Sequence, residues 1–183
     1  QHDKDRMTAV KVKLLKAIDD LQVTVDENRF EQELIYYLEK LDINEEKVLT
    51  LADKANDIGV EMLVLDDGWF KGRQDATSSL GDWVADKDRF PSGIADLAAK
   101  VKAKGLKFGI WFEPEMVNPD SALFRAHPDW ILHQPGRTSS LGRNQLTLDM
   151  SRADVRNYLF DHMAAILECG DVSYVKWDMN RAM

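Results

Sequence analysis

The sequence predicts an α/β fold built from parallel βα units. Three observations predict it. Residues 60–65 and 106–112 are almost continuously apolar, as strands covered on both faces are. These runs alternate with amphipathic segments of helical length, which join parallel strands through right-handed crossovers. Acidic, amide and indole side chains crowd the ends of the apolar runs, where the carboxyl ends of parallel strands share one face.

Residues 7–41 read as a helical hairpin. Val10, Leu14, Ala17, Ile18 and Leu21 share a face. Asp26, Glu27 and Asn28 supply a turn and a cap, and Phe30, Leu34, Leu38 and Leu41 resume the pattern. A boundary is expected near residues 41–44, between a helical segment (1–41) and the βα part (42–183). Asn44 then caps a helix with Glu45 and Glu46 in its first turn, and Gly59 ends it. A strand over 60–65 leads to a long polar loop over 70–91, of a length that favours a functional role. A helix over 93–104 and a strand over 106–112 follow, ending in Glu113-Pro-Glu115. A short helical segment over 121–127 precedes another expected strand at 145–149, with Arg143 before it. A helix over 153–168 turns Val155, Leu159, Met163, Ile166 and Leu167 inward. In the last strand Val172, Tyr174 and Val175 precede Lys176, Asp178 and Asn180, which alternate onto one side.

Composition narrows the classes. At 183 residues the chain can bury a core, but a closed (β/α)8 barrel takes roughly 200 or more. A net charge of −8 argues against nucleic acid or an anionic membrane as partner. The lone Cys169 leaves no internal disulfide and no cysteine-based zinc site. No apolar run approaches the ~18 residues of a membrane span. No apolar stretch follows the charged first residues as in a signal peptide, so a cytoplasmic location is expected.

Four clusters stand at expected strand ends: Asp66, Asp67 and Trp69; Trp111, Glu113 and Glu115; Arg143 to Asp149; and Lys176, Asp178 and Asn180. The set suits glycoside chemistry. One carboxylate attacks the anomeric carbon while a second carboxyl protonates the leaving oxygen. Indoles pack on a sugar's C–H face, and Asp, Lys and Asn bond its hydroxyls. Plainer readings stand beside these. Asp66-Asp67 also suits a turn pair, Trp111 a core position, Glu113 and Glu115 the capping of loop amides, and Arg143 a structural ion pair. Asp178 is the strongest candidate nucleophile, since Lys176 beside it would favour its ionised form.

Five segments carry a resemblance: Leu65-Asp-Asp-Gly-Trp69, Leu80-Gly-Asp-Trp83, Phe108-Gly-Ile-Trp-Phe-Glu-Pro-Glu-Met116, Arg143-Asn-Gln-Leu-Thr-Leu-Asp149 and Lys176-Trp-Asp-Met-Asn-Arg181. In order and spacing they resemble the catalytic barrel of glycoside hydrolase family 36 over about residues 42–183. The family includes retaining α-galactosidases that act on melibiose and raffinose-type sugars. The resemblance makes Asp178 the nucleophile, Lys176 and Asn180 sugar-hydroxyl contacts, and Asp66 and Asp67 the contacts to the far hydroxyls of galactose. It gives Trp111 a stacking or hydrogen-bonding role nearby and sets Arg143 in the same subsite. It calls for no cofactor and no metal. The family's acid/base Asp belongs to a later strand, beyond Met183, and its first barrel strand should precede Asp42, where residues 35–40 instead follow a helical pattern.

The chain thus reads as about half of a (β/α)8 barrel, a half TIM barrel, preceded by an unrelated helical segment. By itself it is expected to hydrolyse α-galactosides little or not at all. A second reading is a truncated, recombined or engineered half-barrel that self-associates through its open edges as a homo-oligomer, without catalysis. A third, Mg²⁺ held by Asp66, Glu113, Glu115 and Asp178, has neither histidine nor ordered ligand spacing behind it.

Overall fold

The computed structural model describes residues 42–137, 139, 141–168 and 171–180. The expected helical hairpin over 7–41, and Cys169 and Arg181, lie outside these residues.

Helix α1 (Glu45–Asp57) starts where Asn44 accepts the Lys47 amide at 2.9 Å. Glu45 and Glu46 meet the positive end of its dipole. Val48 and Ala52 are its buried face, and Gly59 turns the chain at φ 77°, a left-handed angle that suits glycine. Strand β1 (Met62–Leu65) follows. Helix α2 (Gly93–Ala103) buries Ile94, Leu97, Ala98 and Val101 and delivers strand β2 (Lys107–Phe112) parallel to β1, with Leu63 opposite Phe108 and Leu65 opposite Ile110. Two residues each form β3 (Met116–Val117) and β4 (Leu146–Thr147), with the short helix α3 (Ala122–Ala126) between them. Helix α4 (Ala153–Leu167) returns the chain to β5 (Val172–Trp177), parallel to β2 with Phe112 opposite Trp177.

The main sheet therefore has the order β1-β2-β5. The α/β reading with parallel βα units stands, as a partial barrel. One element departs from it. The strand expected at 145–149 does not join the parallel sheet but pairs antiparallel with β3, Met116 opposite Thr147. A parallel return needs a long crossover. Among the described residues the only α-helix between β2 and β4 is α3, with five residues. The chain instead turns at Pro114 and Glu115 and folds back on itself, the Leu148 amide donating to the Glu115 carbonyl at 2.9 Å.

The long loop over 70–91 is largely core cover. Phe70 bridges to Ala85, and Leu80, Trp83 and Phe90 are buried. Trp83 packs at 5.0 Å from Phe70 and 6.1 Å from Trp69, ring centre to ring centre, over the end of β2. Gly109 in β2 makes room for its neighbours: a Cβ there would lie 3.0 Å from Tyr174 and 3.1 Å from Val64.

Candidate active site

The parallel sheet brings three strand ends to one face: β1 runs into Asp66, β2 into Glu113 and β5 into Asp178. Lys176, near the end of β5, reaches across β2 to Asp66, Nζ to Oδ2 at 2.6 Å. Both side chains stay substantially exposed, at 43% and 56%. Asp66 Oδ1 accepts the Asp67 amide at 2.8 Å, as in the turn-pair reading.

Asp178 continues the β5 ladder, its amide donating to the Phe112 carbonyl at 2.8 Å. Its Oδ2 accepts the Trp111 indole N–H at 3.1 Å and its Oδ1 the Met179 amide at 2.9 Å. Burial pushes this carboxyl up. Hydrogen bonds from Trp111, Asn180 and Met179, with the Lys176 charge, outweigh burial and hold it below the usual aspartate range. Lys176 was expected to favour that ionised state, and its charge acts in that direction; its ammonium bonds Asp66, and the indole hydrogen bond acts more strongly on Asp178. Trp111 serves in two ways. Its ring is buried and parallel to Phe70 at 6.4 Å, while its N–H points into the site.

Asp67 faces away from Lys176 into a buried clamp. Arg73, 1% exposed, closes on it with Nε at 2.9 Å from Oδ1 and Nη2 at 2.7 Å from Oδ2. Arg73 Nη1 donates to the Ser78 carbonyl and to Asn118 Oδ1, and Asn118 Nδ2 donates to the Asn144 carbonyl at 2.7 Å. Arg143, next to Asn144, is exposed at φ 53° in the turn before β4. Its neighbour Asn144 joins this network, while Arg143 stands in a turn and not at the end of a parallel strand.

The melibiase family model matches residues 30–183. The chain belongs to the melibiase family. The match starts inside the stretch read from sequence as a separate helical segment. The α-galactosidase AgaA of Geobacillus stearothermophilus is 51% identical over 142 residues, which are 78% of this chain and 20% of that enzyme. A variant of that enzyme solved with raffinose superimposes with a TM-score of 0.76 at 49% identity, covering 81% of this chain and 21% of the enzyme. Another variant, solved with stachyose, gives a TM-score of 0.75 at 48% identity over 80% and 21%. Both structures are enzymes of glycoside hydrolase family 36. This melibiase-family chain spans about a fifth of the length of the curated relatives it matches.

Around these residues the melibiase-family chain carries others to which sequence reasoning gave no definite role. Glu113 is 1% exposed, with Oε1 accepting the Asn180 amide at 2.8 Å and Oε2 facing Gln145 Nε2 at 3.5 Å. Burial, and then the nearby Asp178 charge, push its carboxyl above the usual glutamate range against the pull of the Asn180 hydrogen bond. Glu113 was visible as a strand-end carboxylate, but nothing in its pattern separated it from Glu115. Arg73 and Asn118 gave no periodic signal, because both sit in loops. Among the described residues no group of three or more His, Cys, Asp or Glu is arranged to hold a metal ion, and no helix is long and apolar enough to cross a membrane.

Proposed function

We propose that this chain carries the nucleophile side of a retaining α-galactosidase site. In this reading Asp178 attacks the anomeric carbon of a terminal α-galactoside of the melibiose or raffinose type. Lys176, Asn180, Asp66 and Asp67 contact the sugar hydroxyls, Trp111 orients the nucleophile beside the ring, and Arg143 lines the same subsite. The observation that carries it is Asp178 itself: a carboxylate at a parallel strand end, aimed by an indole N–H and held in its ionised, nucleophilic form. The α-galactosidase relatives, among them one solved with raffinose, support the choice of sugar.

The leaving oxygen needs a proton from a second carboxyl. The other carboxyls at these strand ends are engaged: Asp66 with Lys176, Asp67 with Arg73 and Glu113 with Asn180. The resemblance assigns that proton to an Asp of a later barrel strand. A missing general acid forfeits about 10²–10⁴-fold, so the 183-residue chain alone hydrolyses melibiose or raffinose little or not at all. The acidic net charge favours a neutral sugar over nucleic acid or anionic membrane as partner, and a cytoplasmic setting belongs to the same reading.

An activated donor separates nucleophile from acid. In α-galactosyl fluoride the C–F bond breaks with fluoride leaving on its own electron pair, so no proton is needed as an Asp178 oxygen bonds to C1. Intact-mass spectrometry should find one galactosyl adduct, mapped to Asp178 and absent from Asp178→Asn. A folded chain that stays unlabelled sinks the reading.

Self-association is the second reading. Among the described residues β5 is an edge strand; Tyr174 and Trp177 on it and Met179 just past its end are 47%, 54% and 52% exposed. Light scattering across concentration would return a dimer or larger species if these edges pair between copies, and a constant monomer mass if they do not.

A further inference from the structure

The β2–β5 ladder ends abruptly. Asp178 N–H still reaches the Phe112 carbonyl. The next donor on the β2 side would be the N–H of residue 114, which is a proline and has none. From there β2 turns away, and the segment after Asp178 loses its backbone partner. The Asn180 amide is satisfied nevertheless, by the Glu113 side chain at 2.8 Å.

We propose that Glu113 is a positioning residue for Asp178: its carboxyl replaces the backbone acceptor that β2 ceases to supply and fixes the turn that aims the nucleophile. The inference rests on the reading of Asp178 as nucleophile, but the contact acts on Asp178 whatever the chain binds. Two amides two residues apart pin this turn, Asp178 N–H on the backbone of β2 and Asn180 N–H on the side chain of Glu113 just past it. With Asn180 held there, its side chain favours the ionised forms of both Asp178 and Glu113.

The second oxygen of Glu113 fits a neutral carboxylic acid. It faces the amide of Gln145, which is 1% exposed and whose Oε1 has no hydrogen-bond partner. The oxygen and nitrogen of an amide exchange places by a simple flip. A proton on Glu113 Oε2 would then donate to the Gln145 oxygen, giving that oxygen the partner it lacks, while Oε1 keeps the Asn180 amide. Asp178 and Arg73 are the charged groups that act on Glu113, the first favouring the proton and the second opposing it. Two neighbouring carboxyls whose surroundings push them in opposite directions are a pattern that active sites use.

The proposal is tested on the 183-residue chain by NMR, following the side-chain carboxyl carbon of Asp178 through a pH titration and the hydrogen exchange of the Asn180 amide. Glu113→Gln keeps an acceptor for Asn180 and a donor for Gln145, so both readings should match the wild type. Glu113→Ala should speed Asn180 exchange about tenfold or more and move the Asp178 titration up toward the ordinary aspartate value. If Glu113→Ala folds and leaves both unchanged, Glu113 positions nothing. If Glu113→Ala does not fold, Glu113→Gln decides: a displaced Asp178 titration there means that charge, not the hydrogen bond, links the pair, and overturns the proposal. Neither readout needs a sugar, so failure here is distinct from failure of galactosyl labelling.

Discussion

Arg73 closes on Asp67 through two nitrogens, at 2.9 and 2.7 Å, where the arginine side chain is almost wholly buried. The pair ties the turn after β1 to the loop that carries Trp83. It also gives Asp67 a buried partner, while Asp66 beside it stays exposed and shares its charge with Lys176. Two adjacent aspartates thus have unlike tasks, one structural in its immediate bonds and one open to solvent.

Arg73→Met should therefore cost stability first. It leaves Asp67 half-buried without its counter-ion and Asn118 Oδ1 short of a donor. Breaking a buried pair from one side costs about 3–5 kcal/mol, which urea denaturation would read directly. Arg73→Lys, keeping the charge but losing the fork, should cost less.

Lys176→Met should behave oppositely. The Lys176–Asp66 pair is exposed on both sides, so its loss should change stability by no more than about 1 kcal/mol. Galactosyl labelling should fall roughly tenfold or more, since hydrogen bonds to charged groups count for about 1.5–3 kcal/mol. Thermal melting and labelling rate, measured together, separate the two effects.

Trp111→Phe keeps an aromatic ring against Phe70 and Trp83 and removes the N–H that Asp178 accepts. The Asp178 carboxyl should rise toward its ordinary value, so the acid limb of the labelling–pH profile should move to higher pH. Packing loss should stay near 1–2 kcal/mol, because most of the buried ring remains.

The two carboxyls should also pull stability in opposite directions with pH. Asp178 is depressed below 3.8 in the fold, so its contribution is present above 3.8 and is lost as pH falls through the lower folded value. Glu113 is raised above 4.5, so its contribution is present below 4.5 and is lost as pH rises through the higher folded value. Denaturation curves across pH should show Glu113→Gln gaining on the wild type as pH climbs above 4.5. Asp178→Asn should close its deficit as pH drops below 3.8.

Much of the fold was legible because its signals are local. Asn44 capped α1 as its position promised, α2 and α4 began where the apolar stripes begin, and β1, β2 and β5 followed the apolar runs. The strand at 145–149 misled because apolar alternation says that a segment is extended but not which edge it joins. Pairing was decided by the turn at Pro114 and Glu115 and by the absence, among the described residues, of a long crossover helix between β2 and β4.

The sequence by itself determined the parallel βα order, the family motifs and the convergence of Asp66, Trp111, Lys176, Asp178 and Asn180 on one end of a sheet. The tertiary structure alone decided who partners whom. Lys176 went to Asp66 rather than Asp178, Arg73 took Asp67, and Glu113 took the Asn180 amide. The physical reason is range. Propensity and periodicity act over a few residues, whereas the Lys176 and Asn180 contacts join positions 110 and 67 residues apart, and the nearer Arg73–Asp67 pair depends on a loop direction that no periodic pattern encodes.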